Sequence, residues 1–334
     1  MIKIANLLLT RRCNLNCFYC GISANIDYNN KPVPYPSKLD YFKKELDTNT
    51  WIDYINKLYK HNPEIFLVIY GGEPFLRKDL SDIIIHCNNI GINYTIISSC
   101  NENIQNKINE FFEKVSKVKG FSASVDPGFN IVENNEDSIT KSSWGFNTLK
   151  RLMSMDLIED PVAEITVTNN NIQYLEDTVK LMTDNNITSD ITFVEIAKNP
   201  WYDFSTIKDE SLCVIPSDSV VDVFYRLVGS DYKIHMRETV LPDLLNHLPY
   251  NLNCYLEEDL HNITIDSDGR LRLCLRIRGE YVSIFNLDNM FDNNGNIILE
   301  LTKLYGVDKT AHCEGCIWSC AIMSQLDSND IINH

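Results

Sequence analysis

Thr10-Arg11-Arg12-Cys13-Asn14-Leu15-Asn16-Cys17-Phe18-Tyr19-Cys20 decides how this chain reads. It follows an apolar run, Ile2 to Leu9, that reads as a strand, and it sets three cysteines at CxxxCxxC spacing. Three thiolates within eight residues can hold three irons of a [4Fe–4S] cube, and no fourth cysteine lies nearby. One iron then keeps an open coordination position. Such a cluster is a reaction centre, whereas four thiolates usually make an electron carrier. The competing account is structural zinc or a set of ordinary buried thiols. Zinc sites usually pair their cysteines as CxxC and close tetrahedrally with four ligands. Here the first gap is three residues, and the nearest downstream histidine, His61, is far off in sequence.

A second segment supplies context: Ile65-Phe66-Leu67-Val68-Ile69-Tyr70-Gly71-Gly72-Glu73-Pro74. A continuous apolar run of this length reads as a strand buried on both faces, as in parallel sheets. Gly71 and Gly72 let the backbone come close to a ligand. Glu73 brings a carboxylate to the carboxyl end of the strand, where open α/β sheets and barrels place their ligands. Together the two motifs resemble the radical S-adenosylmethionine (SAM) superfamily. The resemblance implies that the open iron is chelated by the amino and carboxylate groups of SAM. It also implies that Gly71, Gly72, Glu73 and Pro74 bind the amino group, so that Glu73 serves SAM and not the fold.

The composition suits an intracellular enzyme, and a cytoplasmic location is expected. A formal net charge of −16 argues against nucleic acid as partner, since phosphate recognition needs clustered Lys and Arg. Eleven cysteines without an export signal, most at ligand-like spacings, read as metal ligands in a reducing compartment. The Ile2–Leu9 run is too short to span a bilayer, so no membrane association is expected.

Strand-like runs recur near Ile2–Leu9, Ile65–Tyr70, Tyr94–Ser99, Phe121–Val125, Ala163–Thr168 and Ile191–Ala197. Helical stretches alternate with them, such as Trp51–Lys60 behind the cap candidates Thr48, Asn49 and Thr50, and Ile172–Met182. Six such units predict an α/β fold, a partial (β/α)6 parallel barrel, which the resemblance also implies. The expected layout is a core over residues 1–200, a helical connecting segment over 201–252, and a small hairpin-and-helix domain over 253–334. Period-2 alternation puts Ser122, Ser124 and Asp126 on one face of their strand, and Glu164, Thr166 and Thr168 on one face of another. By resemblance, Ser124 and Asp126 are candidates for the ribose or carboxylate of SAM, with Ser98 and Ser99 behind them.

A second cysteine group comprises Cys254, Cys274, Cys313, Cys316 and Cys320. Residues Ile263–Asp266, Asp268-Gly269 and Leu271–Ile277 read as a β-hairpin with Asp-Gly or an adjacent pair at the turn. This order resembles the auxiliary-cluster extensions called SPASM and twitch domains. Five cysteines, where the full SPASM pattern has seven, fit the single extra cluster of the twitch arrangement. Cys254, Cys274, Cys313 and Cys316 suit its order best, and Cys320 could replace one of them. Zinc remains open for this group. Cys87, Cys100 and Cys213 stand apart and read as small buried hydrophobes. In Arg270–Arg278 the arginines and Cys274 share one strand face, and Leu271, Leu273, Leu275 and Ile277 share the other.

The resemblance implies a mechanism. A low-potential donor such as flavodoxin or ferredoxin reduces the cluster, SAM is cleaved, and a 5′-deoxyadenosyl radical takes a hydrogen atom from the substrate. An auxiliary cluster that accepts an electron favours net oxidation, by dehydrogenation or cross-linking. The substrate is expected to be a peptide or a small polar metabolite. Peptide maturases often carry an amino-terminal leader-binding domain, and this chain begins directly at the first strand. That weakens the peptide expectation only slightly, because another chain can supply leader binding. The non-catalytic alternative is an iron–sulfur or zinc-binding regulatory protein, against which the Gly-Gly-Glu-Pro segment speaks.

Overall fold

A computed structural model describes residues 2–15, 17, 45–128, 136–193, 218–235, 262–272, 287–292 and 296. Six parallel strands form its frame: β1 (Ile4–Thr10), β2 (Phe66–Gly71), β3 (Asn93–Ser98), β4 (Val118–Ser124), β5 (Ile158–Val167) and β6 (Thr188–Phe193). On the far side of β1 lies β7 (Asn262–Ile265), parallel to it, and then β8 (Leu271–Arg272), antiparallel to β7. The order β6-β5-β4-β3-β2-β1-β7-β8 leaves an open sheet. This is the expected partial barrel. The hairpin expected within residues 253–334 continues the core sheet, since β7 pairs with β1 from Ile4↔Asn262 to Leu7↔Ile265.

Helices connect the strands: α1 (Thr48–His61), α2 (Leu80–Ile90), α3 (Gln105–Phe112), α4 (Glu136–Ser154) and α5 (Leu175–Asp184), with α6 (Asp218–Val228) after β6 and the short α7 (Leu287–Met290) after the hairpin. Helix α1 shows why they form. Trp51, Tyr54, Ile55 and Leu58 repeat at i, i+3, i+4 and i+7, and all are buried. Its cap lies one residue ahead of the three candidates: the Asp47 carboxylate accepts from the Thr50 amide at 2.8 Å. Lys60 and His61 in the last turn complement the helix dipole.

The sheet has two different faces. Ala5, Leu7, Leu9, Leu67, Ile69, Tyr94, Ile96, Phe121, Ala163 and Ile165 join the helices in one hydrophobic core. The opposite face carries Asn6, Thr95, Ser122, Ser124, Glu164, Thr166 and Asp190 by strict alternation. Leu8, Tyr70 and Val162 are buried on that second face yet stand outside the helix-side core.

The hairpin turn runs from Asp266 to Arg270. Gly269 donates to the Asp266 carbonyl at 2.8 Å and takes φ +86°, which explains a glycine there. Leu271 is buried and Arg270 pairs with Asp268, as the alternation requires. The remaining arginines of that strand lie outside the described residues, apart from the backbone of Arg272.

Candidate active site

The two sequence motifs meet at the carboxyl ends of β1, β2 and β3. Gly72 donates to the Thr10 carbonyl at 2.6 Å, and Glu73 donates to the Arg12 carbonyl at 2.8 Å. A Cβ on Gly71 would stand 2.4 Å from the Thr10 oxygen, and one on Gly72 would stand 2.2 Å from the Arg12 oxygen. The glycines are therefore required by the approach of the cysteine loop.

Glu73 is fully buried, and its carboxylate is committed. Oε1 accepts from Phe75 N–H at 3.3 Å and from Ser98 Oγ at 3.0 Å. Oε2 accepts from Ser99 N–H at 3.0 Å and from Ser99 Oγ at 2.7 Å. Burial pushes its pKa up, and the bonds from Ser99, Ser98 and Phe75 oppose that. Its side chain thus ties the end of β2 to the end of β3, a role in the fold beside the SAM role that the resemblance implies. Ser98 and Ser99 are its partners.

Cys13 and Cys17 are both unbridged and half-buried. The Leu15 amide donates to the Cys13 sulfur at 3.4 Å. The loop is braced from several sides. Arg11 forms a buried pair with Asp266 in the hairpin turn, and Arg12 pairs with Glu45 at 3.0 Å. Arg77 donates to the Leu9 carbonyl at 2.9 Å and pairs with Asp79. Soft sulfur donors presented while nearby carboxylates are engaged elsewhere fit an iron–sulfur cluster or zinc. Cys20 lies outside the described residues, as do Cys254, Cys274, Cys313, Cys316 and Cys320. Cys87 and Cys100 are buried hydrophobes as expected, and burial pushes the Cys87 thiol up to about 12. Cys213 is outside the described residues.

Ser124 and Asp126 are half-buried at the same end of the sheet, on and just after β4. The Asp126 amide donates to Ser142 Oγ at 2.8 Å. Ser124 is the register partner of Glu164, which is the register partner of Asp190. Among the described residues this row is the polar feature that sequence reasoning missed. Glu164 was placed on the inner face without a role. Asp190 fell outside the expected strand, which started at Ile191, three residues late. The alternation Thr188, Asp190, Thr192 is the signal that would have found it.

Glu164 and Asp190 are like charges side by side. Burial first, and then the Asp190 charge, push the Glu164 pKa well up, against a bond from Ser122. Burial pushes Asp190 up as well, against the positive influence of His235. A carboxyl with a raised folded pKa contributes stability below its unfolded pKa and loses it as pH rises. Glu164→Gln should therefore stabilise the protein at pH 8 by about 1 kcal/mol, the scale of a like-charge cross-strand pair. The gain should shrink towards pH 4. Urea unfolding at both values tests this, and an equal effect at both would refute it.

Comparison with known proteins places this arrangement. The profile of the Radical SAM superfamily matches residues 7–182. The chain belongs to the radical SAM superfamily. It is an enzyme of that type. An uncharacterized protein of Methanocaldococcus jannaschii is 28% identical over 300 residues, spanning 86% of this chain and 88% of its own. PqqA peptide cyclase of Methylocella silvestris is 34% identical over 94 residues, which cover 27% of this chain and only 21% of the cyclase. Among solved structures, Streptococcus suis SuiB bound to its precursor peptide SuiA superimposes with a TM-score of 0.54 at 12% identity. That match covers 82% of this chain and 60% of SuiB. Native anSMEcpe with bound AdoMet gives 0.56 at 13% identity, covering 95% and 89%. At these identities the structural matches establish the fold. No helix among the described residues is long and apolar enough to cross a membrane.

Proposed function

We propose that this radical SAM enzyme modifies a peptide, abstracting a hydrogen atom from it with net oxidation. The observation that carries the reading is the clamp of Gly71–Glu73 onto Thr10–Arg12. It sets the cysteine loop against the segment expected to meet SAM, at the ligand-binding end of a parallel sheet. When bound, the cluster and SAM supply one-electron chemistry directed at a C–H bond.

The chain's own residues hold and orient. Cys13, Cys17 and Cys20 would hold the cluster through three thiolates. Gly71, Gly72, Glu73 and Pro74 would receive the SAM ammonium, through backbone carbonyls of the segment and the Glu73 carboxylate. Ser124 and Asp126 take the ribose or carboxylate. The polar row beyond Ser124 offers the substrate a wall of hydrogen-bonding groups, and its position against the radical source sets which C–H bond reacts. A peptide substrate is supported by the relatives: a peptide cyclase by sequence, and SuiB with a bound precursor peptide by fold. Residues 253–334 form an auxiliary domain in this reading. Cys254, Cys274, Cys313 and Cys316, with Cys320 as an alternative, hold one further [4Fe–4S] cluster. Flavodoxin or ferredoxin is the electron donor.

Anaerobic incubation with SAM and dithionite should release 5′-deoxyadenosine and methionine. Reconstituted protein should carry about eight irons and about eight sulfides, from two cubanes. Changing Cys13, Cys17 and Cys20 together to Ala should remove half of the iron and all SAM cleavage. Undiminished cleavage in that variant would sink the reading. Stoichiometric zinc beside one cluster's worth of iron would sink the auxiliary cluster alone.

A further inference from the structure

Asn14 lies inside the cysteine motif, directly after Cys13, and is exposed to solvent. Its amide nevertheless forms a reciprocal pair with Asn101, beyond the end of β3. Asn14 Nδ2 donates to Asn101 Oδ1 at 2.9 Å, and Asn101 Nδ2 donates back to Asn14 Oδ1 at 3.3 Å. Asn101 is 4% exposed and fully engaged. Its second Nδ2 hydrogen goes to Ser99 Oγ at 2.7 Å, and its Oδ1 also accepts from Asn103 N–H at 3.0 Å. Ser99 Oγ in turn donates to Glu73 Oε2. A continuous hydrogen-bonded chain thus runs from Glu73 through Ser99 and Asn101 to Asn14.

A backbone outlier sits in the middle of this chain. Cys100, between Ser99 and Asn101, takes φ +50°, in the left-handed region that a non-glycine residue adopts at a cost. Two bonds hold it there. Its amide donates to Ser98 Oγ at 3.0 Å, and its carbonyl accepts from Gln105 Nε2 at 2.6 Å. The turn it makes aims Ser99 at Glu73 and Asn101 at the cysteine loop. Strain of this kind persists only where the surroundings over-determine it.

At the other end, the Cys13–Asn14–Leu15 turn brings the Leu15 amide to the Cys13 sulfur. Asn14 is the central residue of that turn. We infer that the Asn14–Asn101 amide pair is a positioning latch, which holds this turn so that Cys13 is presented to iron and its sulfur receives the Leu15 hydrogen bond. The inference rests on the reading that Cys13, Cys17 and Cys20 hold an iron–sulfur cluster. Hydrogen bonds to ligating sulfur withdraw charge and raise a cluster's potential, so the latch acts on potential as well as on retention.

Asn14→Ala removes the pair while leaving Asn101 its bonds to Ser99 and Asn103. The test uses the full chain, reconstituted anaerobically, and reads two quantities. Iron release to an excess of chelator should be about fivefold faster in Asn14→Ala, the factor that one net hydrogen bond supplies. The SAM-cluster midpoint potential, followed by electron paramagnetic resonance, should fall. Asn101→Ala should show both changes, and the double variant should go no further than Asn101→Ala alone. Thermal unfolding of Asn14→Ala should match the parent, which separates the latch from a role in the fold. Parental iron release and potential in Asn14→Ala would overturn the latch. A parent protein that takes up no cluster would instead overturn the reading beneath it, and the latch with it.

Discussion

Asp266→Ala is expected to cost about 3–5 kcal/mol of stability, because it removes one side of a buried, bidentate ion pair. Arg11 is 5% exposed and Asp266 is 0% exposed. They meet in a bidentate pair, Nε to Oδ1 at 3.0 Å and Nη2 to Oδ2 at 2.6 Å. The same carboxylate accepts from the Ser267 amide at 2.7 Å, and the Ser267 carbonyl accepts from Leu46 N–H at 2.8 Å. Removing it therefore loosens the hairpin turn, the cysteine loop and the lead into α1 together. A buried ion pair gains little over an apolar pair of similar volume, whereas breaking one side is costly. The double change Arg11→Met with Asp266→Leu should accordingly recover most of what Asp266→Ala loses. Urea unfolding of the single and double variants decides it. A single variant within 1 kcal/mol of the parent, or a double variant no better than the single, would show that water reaches the pair and screens it.

Much of the frame is legible from local pattern alone. A strand such as Ile65–Tyr70 announces itself by an unbroken apolar run, and α1 by Trp51, Tyr54, Ile55 and Leu58, because both signals come from side-chain period. Boundaries are harder. The α1 cap moved to Asp47, since any of four successive polar residues could reach the first amides, and only the chain's entry direction selects one. Strand β6 begins at Thr188, whose polar alternation is weaker than the apolar cluster that follows, and Asp190 was lost with it. The place of β7 beside β1 was not legible. Its pairing depends on a contact some 257 residues away in sequence, as in the bond from Asn6 Nδ2 to the Ile263 carbonyl. The site divides in the same way. Residue types at Cys13, Cys17 and Glu73 point to their chemistry, but their partners are non-local. Nothing in Gly-Gly-Glu-Pro says that its glycines face Thr10 and Arg12, or that its acid is spent on Ser98, Ser99 and Phe75.

Gly72→Ala follows from that last contact, and it should disable the protein's chemistry more thoroughly than any change of similar size. The added Cβ would lie 2.2 Å from the Arg12 carbonyl oxygen, 2.6 Å from its carbon and 2.9 Å from the Arg11 oxygen. All three are backbone atoms, so no side-chain rotation relieves the clash. The strands must separate locally, which breaks the bonds from Gly72 N–H to Thr10 and from Glu73 N–H to Arg12. Overpacking of this kind costs about 1–3 kcal/mol. The helix-side core of β1 and β2 lies before the clash and can stay intact, so the protein should still fold. The displaced segment, however, is the one that carries Cys13. Gly72→Ala should therefore retain cooperative unfolding with a lowered midpoint, while losing SAM-cluster iron and 5′-deoxyadenosine formation. Gly91→Ala is the control: its Cβ would meet nothing within 4 Å, although its φ of +78° adds backbone strain. That variant should lose comparable stability and keep its cluster. Equal iron content in the two variants would show that the clamp serves the fold and leaves the cysteine loop free to bind iron without it.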